Sequence, residues 1–145
     1  MNPSIDPGQT RPAGYSGTPL AKKLGIKDNF HIEVINAPEY YRCLFTDLPA
    51  NLYVENGKDS KVDLIHFFTK DRQEYQSLLP QLKNRIKSNG SIWVSWPKKS
   101  SKIATDVTED IIRNFALQTG LVDIKVCAVD EIWSGLKLVI PVKDR

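Results

Sequence analysis

The sequence contains few of the residues on which metal and disulfide sites depend. Only two cysteines and two histidines occur among 145 residues, with no Cys-x-x-Cys pair and no Cys/His cluster. A structural zinc site is therefore not expected, and free cysteines are typical of a cytoplasmic protein. No apolar run approaches the ~20 residues of a membrane-spanning helix. The polar, proline-containing start has no apolar segment typical of a secretion signal.

Charge of one sign does not dominate the chain either. Twenty lysines and arginines against 17 acidic residues give a formal net charge of +3, and the lysines are scattered among the acidic residues. Attraction of nucleic acid usually requires a concentrated basic surface. Nucleic acid is therefore not indicated as a partner, no membrane partner is expected, and a small anionic ligand or a protein partner stays open.

Apolar periodicity predicts alternating strands and helices. Short apolar or alternating runs predict strands over residues 31–35, 52–54, 62–68, 91–96, 121–128 and 132–142. Helical spacing predicts helices over residues 19–24, 39–45, 71–88 and 106–119. Strands that alternate with helices imply crossover connections and a mostly parallel sheet with helices on both faces. The short link before the last strand predicts an antiparallel hairpin.

This order predicts one three-layer, Rossmann-like α/β domain over residues 14–145, preceded by a flexible tail over residues 1–13. Polar residues mark the helix starts, since Asp71 with Glu74 and Asp106 with Glu109 have the spacing of a capping box.

From residue 62 onward, a strand, a long helix, the sequence Asn-Gly-Ser-Ile-Trp-Val-Ser at 89–95, a helix ending before Gly120 and a terminal hairpin follow one another. This half of the chain resembles a class I S-adenosylmethionine-dependent methyltransferase. The resemblance implies a reduced form of that fold and raises S-adenosylmethionine as a cofactor.

Several continuous segments carry a second resemblance. They are Gly-Tyr-Ser-Gly-Thr-Pro-Leu-Ala at 14–21, Asn-Ala-Pro-Glu at 36–39, Val-Ser-Trp-Pro-Lys-Lys at 94–99, Val-Cys-Ala-Val-Asp-Glu at 126–131 and Trp-Ser-Gly-Leu-Lys at 133–137. On these segments the chain resembles the bacterial domain-of-unknown-function family 3052. That family has no assigned activity, so this resemblance implies no reaction.

The turn after the first strand departs from the methyltransferase pattern. That fold places a glycine-rich turn there, followed by a helix whose N-terminus faces the ligand. Residues 36–40 contain no glycine, and Pro38 lacks an amide N–H. Glu55, after the next strand, is a weak candidate for binding ribose hydroxyls. The expectation is that no cofactor binds, with S-adenosylmethionine as the alternative.

Ligands of open parallel sheets bind outside the carboxyl ends of the strands. Asn36 follows the first predicted strand, whereas Lys98 and Lys99 follow the strand over residues 91–96. Together these residues are candidates for binding an anion or a phosphate group. A solvated basic loop explains the two lysines equally simply.

A second candidate anion site precedes the first helix. Ser16, Gly17 and Thr18 lead into it, with Thr18 as the predicted N-cap. Free N–H groups at a helix N-terminus attract anions, and Lys22 and Lys23 add positive charge. A turn that only caps the helix is the alternative.

The remaining reactive side chains have structural explanations, so no catalytic residue is assigned. Asp130 and Glu131 are candidates for an acid–base pair or for binding a metal, but a polar turn is the simpler explanation. Cys43, Cys127 and His66 are expected to be buried. The tryptophans fit either an aromatic pocket or the core: Trp93, Trp96 and Trp133.

Three functions follow from these observations. A non-enzymatic binding or interaction module on a degenerate methyltransferase-like scaffold leads, because the glycine turn and a catalytic set are missing. It predicts a partner surface with an exposed tryptophan. A divergent S-adenosylmethionine-dependent methyltransferase is one alternative, and an anion- or nucleotide-binding protein is the other.

Overall fold

A computed structural model describes residues 17–55 and 60–145, where six strands form one sheet. The strands are β1 (His31–Ile35), β2 (Tyr53–Val54), β3 (Val62–Phe68), β4 (Ile86–Pro97), β5 (Val122–Ala128) and β6 (Trp133–Val139). The α-helices are α1 (Leu20–Leu24), α2 (Arg72–Lys83) and α3 (Glu109–Thr119). The predicted tail over residues 1–13 and the candidate residue Ser16 lie outside the described residues.

The strand order is β2-β1-β3-β4-β6-β5. Five strands run in the same direction, and β6 alone runs in the opposite direction between β4 and β5. The mostly parallel sheet and the C-terminal antiparallel hairpin predicted from the sequence are therefore confirmed. β1 leads to β2 on one side, and β3 then returns to the other side of β1. This reversal is the switch point at which open α/β sheets bind their ligands.

Helices and loops cover both faces of the sheet. Tyr75 and Leu79 of α2 pack with Ile112 of α3 on one face. On the other face, α1 and the segment over residues 36–52 cover Leu64 and neighbouring apolar residues. We call residues 36–52, which join β1 to β2, the first crossover. Each fully buried aliphatic or aromatic side chain contributes roughly 1.5–3 kcal/mol, so both layers hold the sheet.

The tryptophans belong to the core. Trp93 is fully buried and donates its indole N–H to the Leu24 carbonyl at 2.8 Å, while Trp96 and Trp133 are each 8% exposed. The expectation of an exposed tryptophan is therefore wrong, while a protein partner stays a prediction. The prediction for Cys43 is also wrong, because its thiol is exposed on the first crossover.

The helix over residues 71–88 was predicted too long. α2 ends at Lys83, and Ile86 instead starts β4, level with Val62 of β3. Ile86 is buried in the sheet, and its apolar side chain happens to fit the helical spacing as well. Local periodicity alone does not separate these two uses of one buried residue.

Neither predicted capping box forms in full, although the N-cap role of Asp71 is confirmed. Asp71 caps α2 and accepts the N–H groups of Gln73 and Glu74. α3 is capped by Thr108, not by Asp106. Asp106 instead accepts the N–H of the first residue of α2 at 2.7 Å, so its carboxylate joins the two helices.

No helix among the described residues has the length and apolar character that crossing a bilayer requires.

An ion pair between half-buried Arg85 and buried Glu33 connects β1 to the start of β4. Arg85 donates to Glu33 at 2.6 Å, and Glu33 is only 6% exposed. Within the described residues, the second carboxylate oxygen of Glu33 has no hydrogen-bond partner. Removal of the cation would therefore leave a buried charge that is poorly compensated.

We predict that Arg85→Met lowers the free energy of unfolding by about 3 kcal/mol in urea denaturation. The double variant Glu33→Gln/Arg85→Met should lose less, because no charge remains buried. A double variant as unstable as the single one would contradict this interpretation of the pair.

Candidate functional site

The carboxyl edge of β1 ends in a left-handed turn at Asn36. Its φ of +58° is a conformation that glycine adopts freely and asparagine tolerates. Asn36 thus gives the turn a backbone shape that the absence of glycine had argued against. A 3₁₀ helix, Tyr41–Leu44, follows where the methyltransferase pattern expects an α-helix. The first crossover therefore aims no α-helix N-terminus at the switch point.

A hydrogen-bonded carboxylate lies at this switch point. The Asn36 side-chain amide donates to Glu74 at 3.1 Å, and the Thr69 hydroxyl donates to the other oxygen of Glu74 at 2.7 Å. Asn36 follows β1, Thr69 follows β3, and Glu74 lies in the first turn of α2. One acidic side chain thus joins the three elements that surround the crevice.

Glu55 does not reach the carboxyl edge. Val54 is level with Ile32, so Glu55 lies beside the middle of β1. Its carboxylate is hydrogen-bonded to the ring of His31, at the start of β1. The predicted ribose-binding role for Glu55 therefore has no support in the geometry.

The N-terminus of α1 already holds an anion from the chain itself. The two carboxylate oxygens of Asp47 accept the N–H groups of Ala21 and Lys22, both at 3.0 Å. Pro19 is the N-cap residue, so the predicted capping role of Thr18 is wrong. Asp47 lies on the first crossover, and its carboxylate attaches that segment to α1.

A basic pocket of about 420 Å³ opens between α1 and β5. Thr18, Lys22 and Lys23 of the second predicted anion site line it, and Lys125 of β5, which the sequence did not single out, completes it. The lining residues include Thr18, Lys22, Lys23, Lys125, Cys127 and Ala128. Gly17 precedes Thr18 in an exposed bend.

The other predicted lysines have different environments. Lys98 is half-buried, and its backbone N–H donates to the Ile132 carbonyl at 2.7 Å. Burial lowers the pKa of Lys98. The nearby charge of Asp130 raises this pKa, and that of Lys23 lowers it. Lys99 is exposed in a 3₁₀ helix. Lys98 therefore lies near Lys23, whereas the side chain of Asn36 is hydrogen-bonded to Glu74 of α2.

The hairpin tip is a hydrogen-bonded turn. Asp130 accepts the N–H groups of Ile132 and Trp133 with one oxygen and the Tyr40 hydroxyl with the other, at 2.9 Å. Burial and this contact with Asp130 raise the pKa of Tyr40 to about 12. The simpler explanation given for Asp130 from the sequence is confirmed.

An apolar cavity of about 330 Å³ lies between the first crossover and the two strands that it joins. Its size is at the lower end of the range for small-ligand pockets. The lining residues include Ile32, Val34, Tyr41, Arg42, Leu48 and Leu52.

A buried polar chain that sequence reasoning missed lies behind this cavity. The Tyr41 hydroxyl and one ring nitrogen of His66 are 2.9 Å apart, and the other ring nitrogen is 2.8 Å from the Ser95 hydroxyl. His66 and Ser95 are completely buried. Burial lowers the pKa of His66 to about 3, so the ring is neutral near pH 7. The prediction of a satisfied interior histidine is confirmed.

Within residues 17–55 and 60–145, no group of three or more His, Cys, Asp and Glu side chains is arranged to hold a metal ion.

No protein-family model matches the chain, and no curated protein matches it in sequence. The resemblance to family 3052 therefore stays a prediction from the sequence. Solved structures do match the fold. A protein of Sulfolobus solfataricus assigned as a type 11 methyltransferase matches with a TM-score of 0.60 and 13% identity, covering 83% of this chain and 89% of that one.

Two further structures are similar. Precorrin-6y C5,15-methyltransferase from Geobacter metallireducens has a TM-score of 0.59 at 11% identity, covering 82% of this chain and 84% of its own. An O-methyltransferase from neocarzinostatin biosynthesis, in complex with S-adenosylmethionine, has a TM-score of 0.57 at 11% identity. The match covers 76% of this chain and 48% of that enzyme.

The environment of His66 predicts a pH dependence of stability. The unfolded chain binds a proton on His66 near pH 6.5, whereas the folded chain binds it only near the lowered pKa of about 3. Between these values the unfolded state holds more protons. The contribution of His66 to the free energy of unfolding is therefore complete above pH 6.5 and decreases as the pH falls.

We expect wild-type protein to lose about 1–2 kcal/mol more stability than His66→Gln between pH 7 and pH 5, because only wild-type has the buried imidazole. Urea denaturation at both pH values measures the difference. Equal losses in the two proteins would show that His66 is not held neutral by the fold.

The three methyltransferase structures that match this chain are only 11–13% identical to it in sequence. At that identity the matches establish the fold alone, and the chain therefore has the Rossmann-like fold of methyltransferases.

Proposed function

We propose that this protein is a non-enzymatic binding module built on a divergent methyltransferase-like scaffold. The observation that carries the proposal is the first crossover. It replaces the expected ligand-facing helix by the 3₁₀ helix Tyr41–Leu44. Without an α-helix N-terminus directly after β1, the first crossover lacks the backbone N–H groups and partial positive charge that attract an anionic cofactor group.

The side chains around the crevice support the same proposal. The Asn36 amide and the Thr69 hydroxyl both donate to Glu74, and Glu55, the candidate for binding ribose, lies away from the crevice and is hydrogen-bonded to His31. A ligand with ribose hydroxyls would have to displace these contacts or bind without them. The residues present therefore do not fit S-adenosylmethionine in the arrangement that the methyltransferase resemblance implies.

A divergent S-adenosylmethionine-dependent methyltransferase is the second candidate. The similarity to methyltransferase structures supports it more directly than it supports a binding module, and one similar structure contains S-adenosylmethionine. The left-handed conformation of Asn36 also favours it, since the turn after β1 keeps a shape that glycine would allow.

Calorimetric titration with S-adenosylmethionine and with S-adenosylhomocysteine separates the two candidates. For a binding module we predict no saturable heat with either compound up to about 1 mM. Saturable binding at micromolar concentration would contradict the first candidate and support the second.

A matched pair of variants locates any binding that is seen. Asn36→Ala should weaken binding at the switch point, because it removes the amide and disfavours the left-handed turn. Lys143→Ala, at the exposed C-terminal end, is the control and should leave the affinity unchanged. Equal affinities in both variants would place the ligand elsewhere on the protein.

A further inference from the structure

The pocket between α1 and β5 combines space with uncompensated positive charge. Lys22 and Lys23 come from α1, and Lys125 comes from the edge strand β5. The residues are about 100 positions apart in the sequence, so the pocket exists only in the folded chain. Its volume of about 420 Å³ lies within the range for small-ligand sites.

Two hydrogen bonds hold lysine side chains at the pocket wall. The Lys23 ammonium group donates to the Ala128 carbonyl at 3.2 Å, across from α1 to β5. The Lys125 ammonium group lies 3.5 Å from the Lys23 carbonyl, in the opposite direction. Lysines that extend freely into solvent would not be held around one cavity in this way.

Further lysines strengthen the positive potential. Lys137 of β6 is level with Lys125 of β5, and like charges that face each other across strands are destabilising. Burial lowers the pKa of Lys137, and the charges of Lys125 and Lys27 lower it further. Lys98 approaches the same region from the end of β4, near Lys23.

Within the described part of the chain, Asp130 and Glu131 act on Lys98, but no acidic side chain pairs with the lysines that line the pocket. There, none of Lys22, Lys23, Lys125 and Lys137 forms an ion pair. The carboxylate of Asp47, which lies at the N-terminus of α1, is already hydrogen-bonded to the backbone N–H groups of that helix. A bound anion would relieve the repulsion among the lysines and thereby stabilise the folded state.

We propose that this pocket binds a compact anion carrying two or more phosphate charges, such as the diphosphate or triphosphate moiety of a small molecule. Lysine ammonium groups bind phosphate as point charges with several N–H donors, which suits a multiply charged group of tetrahedral oxygens. The planar two-point recognition of a carboxylate would favour arginine, and the described residues that line the pocket include no arginine. The site is independent of the proposed function, because α1 and β5 form it away from the switch point.

The two cysteines provide a matched reporter pair. Cys127 lines the pocket and is partly exposed, whereas Cys43 is exposed on the first crossover. Burial raises the pKa of Cys127, and the neighbouring lysines Lys23, Lys125 and Lys98 act in the opposite direction. An anion bound beside this thiol covers it and offsets the lysine charges, so alkylation should slow.

The experiment measures the iodoacetamide reaction rate of Cys127 in the full-length Cys43→Ser variant, with increasing inorganic pyrophosphate at constant ionic strength. We expect saturable slowing. The rate for Cys43 in the Cys127→Ser variant, under the same conditions, should not change. Absence of any slowing at millimolar pyrophosphate, or equal slowing of both cysteines, would overturn the proposal.

Charge variants test the lysines directly. In the Cys43→Ser background, Lys23→Gln/Lys125→Gln should weaken pyrophosphate binding by about tenfold or more, since it removes two charged donors. Lys61→Gln/Lys143→Gln changes the net charge equally at distant exposed positions and should have little effect. Equal weakening by both pairs would show non-specific attraction and overturn the site.

Two further readouts keep the test decisive. Removal of repelling lysines should leave the melting temperature unchanged or raise it, so loss of binding in the Lys23→Gln/Lys125→Gln variant will not reflect unfolding. The second readout repeats the alkylation assay with a single-stranded oligonucleotide. If the oligonucleotide protects Cys127 at a far lower concentration than pyrophosphate does, the ligand is a nucleic acid and the proposal of a small anion is overturned.

Discussion

The buried imidazole of His66 joins the first crossover to two neighbouring strands. Its ring nitrogens lie within hydrogen-bond distance of Tyr41, on the crossover, and of Ser95, on β4. A buried polar ring without partners would cost free energy, so both contacts must form for the sheet to close over it. The crossover is therefore fixed onto the sheet face by a polar requirement as well as by apolar packing.

The position of the crossover determines what the switch point contains. Tyr41 begins the 3₁₀ helix and packs its ring against His66 and Phe68 of the sheet, and no α-helix N-terminus of this segment faces the crevice. The same segment supplies Asp47, which caps α1 and thereby positions the wall of the basic pocket. One short connection thus accounts for the altered carboxyl edge and for the place of α1.

The sequence predicts the framework well because the framework follows local rules. Continuous apolar runs identified β3, and alternation with helices indicated the parallel sheet. Errors occur where a tertiary contact decides between two local options. Ile86 fits a helix and a strand equally, and Asp106 bonds to another helix instead of capping its own.

The sites could be predicted only in part, for the same reason. Thr18 and Lys23 stood out together as one candidate anion site, but the residue that completes the pocket, Lys125, is distant in the sequence. Ser95 carries no local signal, because its role depends on His66, which is 29 residues away. Sequence patterns indicate which face of a helix or strand is buried and where that helix or strand ends. Contacts between side chains of different helices and strands appear only in the folded chain.

Nitrogen-15 NMR of the His66 imidazole measures the central contact directly. If the ring is buried between Tyr41 and Ser95, it should show one neutral tautomer that does not change between pH 7 and pH 5, consistent with its lowered pKa of about 3. An imidazole that gains its second proton near pH 6.5, the value of an unperturbed histidine, would contradict this account of the crossover.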